Sequence, residues 1–250
     1  MLNSPAMKFP PADLSFLRER LGELITQLTE SWETSDQSAD EADNPPVLGE
    51  AVEQLFAVLG HIEDETGASA ADTTEINTLT EYGLHLLEEL AKAARSLGQS
   101  ELATEIEQLA VPLALWAARH GGEIRNLSPV VNAVAHFANR ASHPHAMAEL
   151  YTQCCELIDA TNPICEAPAV DDPSDPWRLL LINRAIVATR SHNPELIESA
   201  FDAVLESLPG DAPKFFAEGM EQMTILDYPD EVREVVRRYY LAHAVPRRLH

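Results

Sequence analysis

Nine histidines, 41 carboxylates and three cysteines are the side chains in this sequence that could bind a metal or move a proton. The tightest histidine pair is His143-Pro144-His145. Residues two apart on a helix point in different directions, and Pro144 places the pair at a helix start, so the rings do not converge. No cysteine or acid stands beside them at the spacing a zinc site uses. Glu81, His85, Glu88 and Glu89 share part of one helix face. The paired Glu-x-x-His elements of bundle di-metal proteins are missing, which leaves a solvated face. His61 and Glu65 are four apart, without the metalloprotease pattern between them. Cys154 and Cys155 adjoin inside an apolar helix, where neighbouring side chains diverge by about 100° and a mutual disulfide is disfavoured. They read as small hydrophobes. The chain has no glycine-rich phosphate loop, no Gly-x-Ser-x-Gly elbow and no Cys-x-x-Cys. The sequence therefore nominates no catalytic, cofactor-binding or metal-binding residue.

Residues suited to binding a partner are better represented. Arg95, Arg140 and Arg190 each stand two residues after an alanine and just before a polar turn. Three guanidinium groups in a shared register could line one partner-binding face. The competing role is local, a cation in the last turn meeting the negative end of its helix dipole. Phe215, Phe216, Met220 and Met223 make a segment dense in aromatic and sulfur side chains. Such a segment packs a core, or lines a groove whose flexible methionines adapt to a partner. Gly219 within it permits close helix approach or a bend.

The formal charge of −24 restricts the partner class. Nucleic-acid backbones and anionic lipid surfaces repel such a chain. The charge is also uneven. From Leu21 to Ala91 there are 17 acidic residues and no Lys or Arg, while Arg233, Arg237, Arg238, Arg247 and Arg248 crowd the last 18 residues. An acidic face of this kind solubilises the protein or docks something basic, including its own tail or a second copy in a homodimer. The apolar stretches around Val111–Ala118 and Leu179–Ala188 are too short or too interrupted to span a bilayer, and no export signal is visible at the start. Three cysteines make no disulfide framework, so a cytoplasmic setting is expected.

The elements that must position these residues are helices. Ala, Leu and Glu recur, and alternating β-branched runs are missing. Leu14, Leu17, Leu21, Leu24, Leu28 and Trp32 step by three or four, as one helix face does. The polar acidic stretch 35–46 reads as a linker. Val52, Leu55, Phe56, Leu59 and Ile62 mark the next helix, and Ile76, Leu79, Gly83, Leu86, Leu90, Ala93 and Leu97 the one after, with Asp72 and Glu75 as a capping box. Ser100 is expected to cap a helix that Pro112 kinks. Ser128-Pro129, Asp175-Pro176, Asn193-Pro194, Asp211 and Pro229 mark further starts. The count is about ten helices. The expected organisation is an N-terminal helix (1–34), the linker (35–46) and a helical-repeat domain (47–250), with the first helix packed on that domain.

Three segments align: AARSLGQSELATEIEQL from Ala93, ANRASHPHAMAELYTQC from Ala138 and ATRSHNPELIESAFDAV from Ala188, at offsets of 45 and 50 residues. Periods of this size indicate arrays of helical hairpins. Ile197, Phe201, Val204 and Pro209, with Met147, Tyr151 and Cys154 at the same steps, follow the second helix of a tetratricopeptide repeat. Ala135, Ala138, Ala185 and Ala188 fall where that repeat needs small residues. Over about residues 79–209 the chain thus resembles a degenerate tetratricopeptide-like array. Leu102, Met147 and Ile197 depart from its small positions, and the spacing exceeds the usual one. The resemblance implies a curved scaffold that binds a protein or peptide on one face. The expectation is an all-α fold of stacked antiparallel hairpins acting as a non-catalytic interaction scaffold. The alternatives are an all-α enzyme with an unrecognised active site, and a regulatory or assembly subunit whose acidic surface binds a basic partner.

Overall fold

The structure is a computed structural model, and it describes residues 9–35, 44–65, 73–166 and 172–244. Most of the acidic linker, Asp72 of the expected capping box, and Arg247 and Arg248 lie outside them. Among the described residues there are eleven α-helices: α1 (Leu14–Glu33), α2 (Pro45–Glu65), α3 (Thr73–Ser96), α4 (Ser100–Gln108), α5 (Ala110–Arg119), α6 (Ser128–Arg140), α7 (Pro144–Asp159), α8 (Pro176–Arg190), α9 (Pro194–Ser207), α10 (Ala212–Ile225) and α11 (Asp230–His243). The fold is all-α. The sole extended pairing among these residues is an isolated bridge between Ile124 and Thr161. No described helix is long and apolar enough to cross a membrane.

The helix ends follow from local chemistry. Asp13, Asp175 and Asn193 each accept a backbone N–H of the first turn (from Phe16, Arg178 and Glu195), and a proline follows the latter two, where its missing N–H costs nothing. Two boundaries differ from expectation. Pro45 and Pro46 open α2 instead of closing the linker, because proline is pre-set for the first helical turn. Ser100 lies inside α4 and Gln99 occupies the cap without a side-chain bond. The expected interruption at Pro112 is present as the break between α4 and α5. A proline ring clashes with the carbonyl four residues back, here Gln108, the last residue of α4. Helix α3 stops where Gly98 turns to a φ of +74°, and Gln99 N–H donates to the Ala94 carbonyl across it.

The described chain forms two compact units, one of residues 9–137 and 156–166, the other of 138–155 and 172–244. In the first, α1 packs on α2, α2 on α3, and α3 on α4 and α5, while α1 returns to touch both α4 and α5. These segments therefore share one core, which holds Leu24, Leu28, Leu59, Ile76, Leu90, Ile106 and Leu115 fully out of solvent. Helix α3 meets helices on more than one side, which is why Leu84 and Leu87 are buried beside the expected stripe. In the second unit, α8 pairs with α9 across a three-residue turn, α10 pairs with α11, and α11 also packs on α9.

Gly83 marks a close approach of three helices in the first unit. A Cβ there would stand 2.9 Å from Leu113 Cδ2 of α5 and 3.0 Å from Leu55 Cδ2 of α2. Gly22 and Gly60 face open space. Urea denaturation should therefore separate them. Gly83→Val should cost about 1–3 kcal/mol through overpacking. Gly22→Ala and Gly60→Ala should each gain about 0.5–1 kcal/mol by improving helix propensity.

Candidate functional site

The second unit carries an apolar cavity of about 230 Å³. Its walls come from four helices and one turn. Helix α8 contributes Ile182, Ile186 and Thr189, α9 Phe201, α10 Phe215, Phe216, Glu218, Gly219, Gln222 and Met223, and α11 Val236, with Tyr228 from the turn before it. Helix α10 presents this wall because Phe215, Phe216, Gly219 and Met223 lie three or four apart. Gly219 opens the space. A Cβ there would meet nothing nearer than Val236 Cγ1 at 3.7 Å.

An aromatic cluster joins three of these helices. The Phe201 ring lies 5.5 Å from Phe215 at 90°, 5.1 Å from Phe216, and 5.1 Å from Tyr239 at 84°. Phe216 is fully buried and also touches Tyr239 and His243. Such edge-on and tilted pairs are preferred by ring quadrupoles and hold the walls rigidly. Tyr239 donates its hydroxyl to Asp202 at 2.6 Å, locking α11 to α9. Arg178 of α8 pairs with Asp211 at the start of α10. Of the lining residues Ile186 is 40% exposed, and Ile225 and Leu226, two and three residues after the lining residue Met223 in sequence, are 73% and 48% exposed. Single exposed apolar residues are ordinary, but several in and next to one lining segment are what a binding surface carries.

Of the residues singled out from the sequence, Phe215, Phe216 and Met223 line this cavity, while Met220 is half-buried outside its lining. The aligned arginines do stand in equivalent places, each in the last turn of a helix that a short turn joins to the next. They do not perform one task. Arg95 pairs with Glu107 of the following helix. Arg140 is exposed and forms no hydrogen bond or ion pair with a described residue. Arg190 donates to the carbonyls of Ala138 and Ala141, the latter at 2.7 Å, and so caps the C-terminal end of α6. Its charge meets a helix dipole, though that of α6 and not of its own helix. The lining residues missed include Ile182, Ile186 and Thr189 of α8, Glu218 and Gln222 of α10, and Tyr228. The available signal was α8 itself, whose run LLLINRAIVA spreads apolar residues over more than one face around Asn183 and Arg184 and so leaves one over after packing.

The basic C-terminal helix packs within its own unit, and the acidic residues it pairs with there, Glu198, Asp202 and Asp227, are not in the acidic stretch 21–91. Val232, Val235, Val236 and Tyr239 are buried, Arg238 pairs with Glu198 at 2.6 Å and Arg233 with Asp227 at 3.4 Å. Polar clusters elsewhere are structural joints. A cleft of about 530 Å³ in the first unit is lined by Arg119, Glu123, Glu156 and Asp159. There Arg119 grips Glu156 through two bonds of 2.7 and 3.1 Å, and Asn162 donates to Glu123 at 2.5 Å. Among the described residues no three His, Cys, Asp or Glu side chains come together as metal ligands would. His145 instead faces Glu149 at 3.3 Å on an exposed helix face.

All three cysteines are free thiols. Burial pushes the Cys154 thiol up to about 12, with Cys155 adding to the shift and Arg184 opposing it. Burial, then the Asp202 carboxylate, pushes the Tyr239 hydroxyl up to about 12. Both groups are held protonated by the fold. Their contribution is complete below the unfolded pKa values, about 8.5 for Cys and 10 for Tyr, and is lost as pH rises through the native ones. The urea midpoint of the second unit should thus fall progressively between about pH 8.5 and 12. Alkylation of the native protein at about pH 8, read by mass spectrometry, should modify Cys155 well before Cys154.

No protein-family model, curated protein or solved structure matches the chain.

Proposed function

We propose that this protein is a non-catalytic interaction module of helical-repeat type. It takes the bulky apolar side chain of a basic partner segment into the cavity walled by α8, α10 and α11. The observation that carries the reading is that cavity. Its volume of about 230 Å³ suits one aromatic ring or a pair of aliphatic side chains, its lining residue Ile186 is exposed, and exposed Ile225 and Leu226 follow its α10 wall in sequence. Recognition by an anchoring side chain in a rigid, aromatic-walled pocket is where binding energy concentrates in protein interfaces. Basic character in the partner follows from charge. Glu218 stands in the lining, exposed Glu221 and Asp227 adjoin lining residues Gln222 and Tyr228, and the chain carries −24 overall. Such a field raises the association rate of a cationic segment and rejects an acidic one.

Gly219→Leu is the direct test, because it fills the cavity while replacing a helix-weakening residue with a helix-favouring one. The probe is a labelled amphipathic peptide of about 15 residues, with Leu and Phe at helical i, i+3, i+4 and i+7 positions and Lys on the other face. Fluorescence anisotropy should show binding to the native protein, weakening at least about 10-fold with Gly219→Leu, a loss of roughly 1.4 kcal/mol. A version of the peptide with Glu in place of Lys should bind far more weakly. Equal affinity for native protein and filled variant would sink the assignment.

A further inference from the structure

Arg184 lies in the middle of α8, nine-tenths buried, on the face that also carries Leu180, Leu181, Val187 and Ala188, all buried. Its Nε–H has no acceptor, and no described carboxylate pairs with its guanidinium. Other buried or half-buried cations of the same unit are satisfied, Arg178 by Asp211 and Arg190 by two carbonyls. Only Nε is fully enclosed, so the terminal nitrogens of the fork reach solvent while the buried N–H lacks an acceptor, an unfavourable arrangement for a group that stays charged.

Among the described residues the groups that act on the neighbouring Tyr151 hydroxyl include no carboxylate. Helix α8, which carries Arg184, packs on α9, and α9 is joined to α7 through the Ser199 and Tyr151 hydroxyls; consistent with that packing, the charge of Arg184 acts on the Tyr151 hydroxyl and the Cys154 thiol. Tyr151 hydroxyl lies 3.2 Å from Ser199 Oγ of α9, and no carboxylate contributes to the environment of Tyr151. Cys155, beside Tyr151, is half-buried and Ser199 is exposed, so the neighbourhood reaches solvent on that side. On a helix, residues two apart point about 200° apart, so Arg184 faces away from Ile182 and Ile186 and the apolar cavity they line.

We infer that Arg184, with the hydroxyls of Tyr151 and Ser199, forms a binding site for a small oxyanion, a carboxylate or a phosphate, independent of the apolar docking cavity. The guanidinium supplies charge and a planar fork of donors matched to such an anion. The two hydroxyls rotate to donate to its remaining oxygens. The ligand supplies a counter-charge at the solvent edge of the site and an acceptor that the Arg184 side chain lacks within the chain.

Thermal denaturation of the full chain tests this, with inorganic phosphate and acetate as probes and chloride at equal ionic strength as the reference. One of the two oxyanions should raise the melting temperature saturably, by roughly 5–10 °C at a hundredfold excess over its Kd. The identity of the effective probe separates phosphate from carboxylate. Arg184→Met, close in length and apolar, should melt at or above the native temperature in chloride and show no response to either oxyanion. Arg184→Lys, which keeps the charge without the fork, should respond more weakly than the native protein. The inference is overturned if the native protein answers neither oxyanion beyond chloride, or if Arg184→Met answers as the native protein does. It is equally overturned if Arg184→Met melts far below the native protein in chloride, since the guanidinium would then already be satisfied within the chain.

Discussion

Phe216→Ala should destabilise the second unit by about 3–5 kcal/mol, the usual cost of removing a buried phenylalanine ring. Phe216 is fully buried, and its ring touches Phe201, Phe215, Tyr239 and His243. Its loss removes the transfer energy of the ring and leaves a void that three separate helices would have to close. Total stabilities run at about 5–15 kcal/mol, so this single change consumes much of the reserve. Met220→Ala, on the same helix but half-buried, should cost under about 1.5 kcal/mol. Urea unfolding followed by circular dichroism measures both. A cost for Phe216→Ala no greater than that of Met220→Ala would show that the aromatic cluster does not hold α10 against α9 and α11.

The second large effect separates the three arginines that share a register. Arg190→Ala should cost about 1.5–3 kcal/mol, because a charged donor is withdrawn from two carbonyls at the end of α6. Arg95→Ala removes one half-exposed pair with Glu107 and should cost about 0–1 kcal/mol. Arg140→Ala touches no described partner and should be within about 0.5 kcal/mol of the native protein. If the three instead formed one ligand face, stability would change little in all three and partner affinity would fall in all three. Parallel melting and peptide-binding measurements on the three variants distinguish these outcomes.

The fold was legible wherever one helix face met one neighbour. The stripe from Leu14 to Leu28 is buried as its spacing requires, and the prolines at 176 and 194 mark helix starts because the residues before them are able caps. Spacing gave less where a helix is covered on several sides. Leu84 and Leu87 fall outside the expected stripe of α3, and α8 carries no stripe at all. The cavity was half legible. Phe215, Phe216 and Met223 announced themselves by composition and by spacing on one helix. Their partners Ile182, Ile186 and Tyr228 come from a different hairpin and from a turn, and no local pattern links residues so far apart in the chain. Arg184 looked like a mere interruption of an apolar run. Its burial without a partner is a property of tertiary packing, invisible to periodicity.

The central claim is that the cavity of the second unit receives an apolar anchor from a basic segment. Selection of binders from a random peptide library displayed on phage, with native protein and Gly219→Leu as parallel baits, tests it without presupposing the partner. The account predicts that peptides enriched on the native protein carry one or two bulky apolar residues flanked by Lys or Arg. It also predicts that these peptides bind Gly219→Leu at least about 10-fold more weakly while the variant keeps its helical content and melting temperature. Enrichment of acidic peptides, or of peptides that bind native protein and filled variant alike, would contradict it.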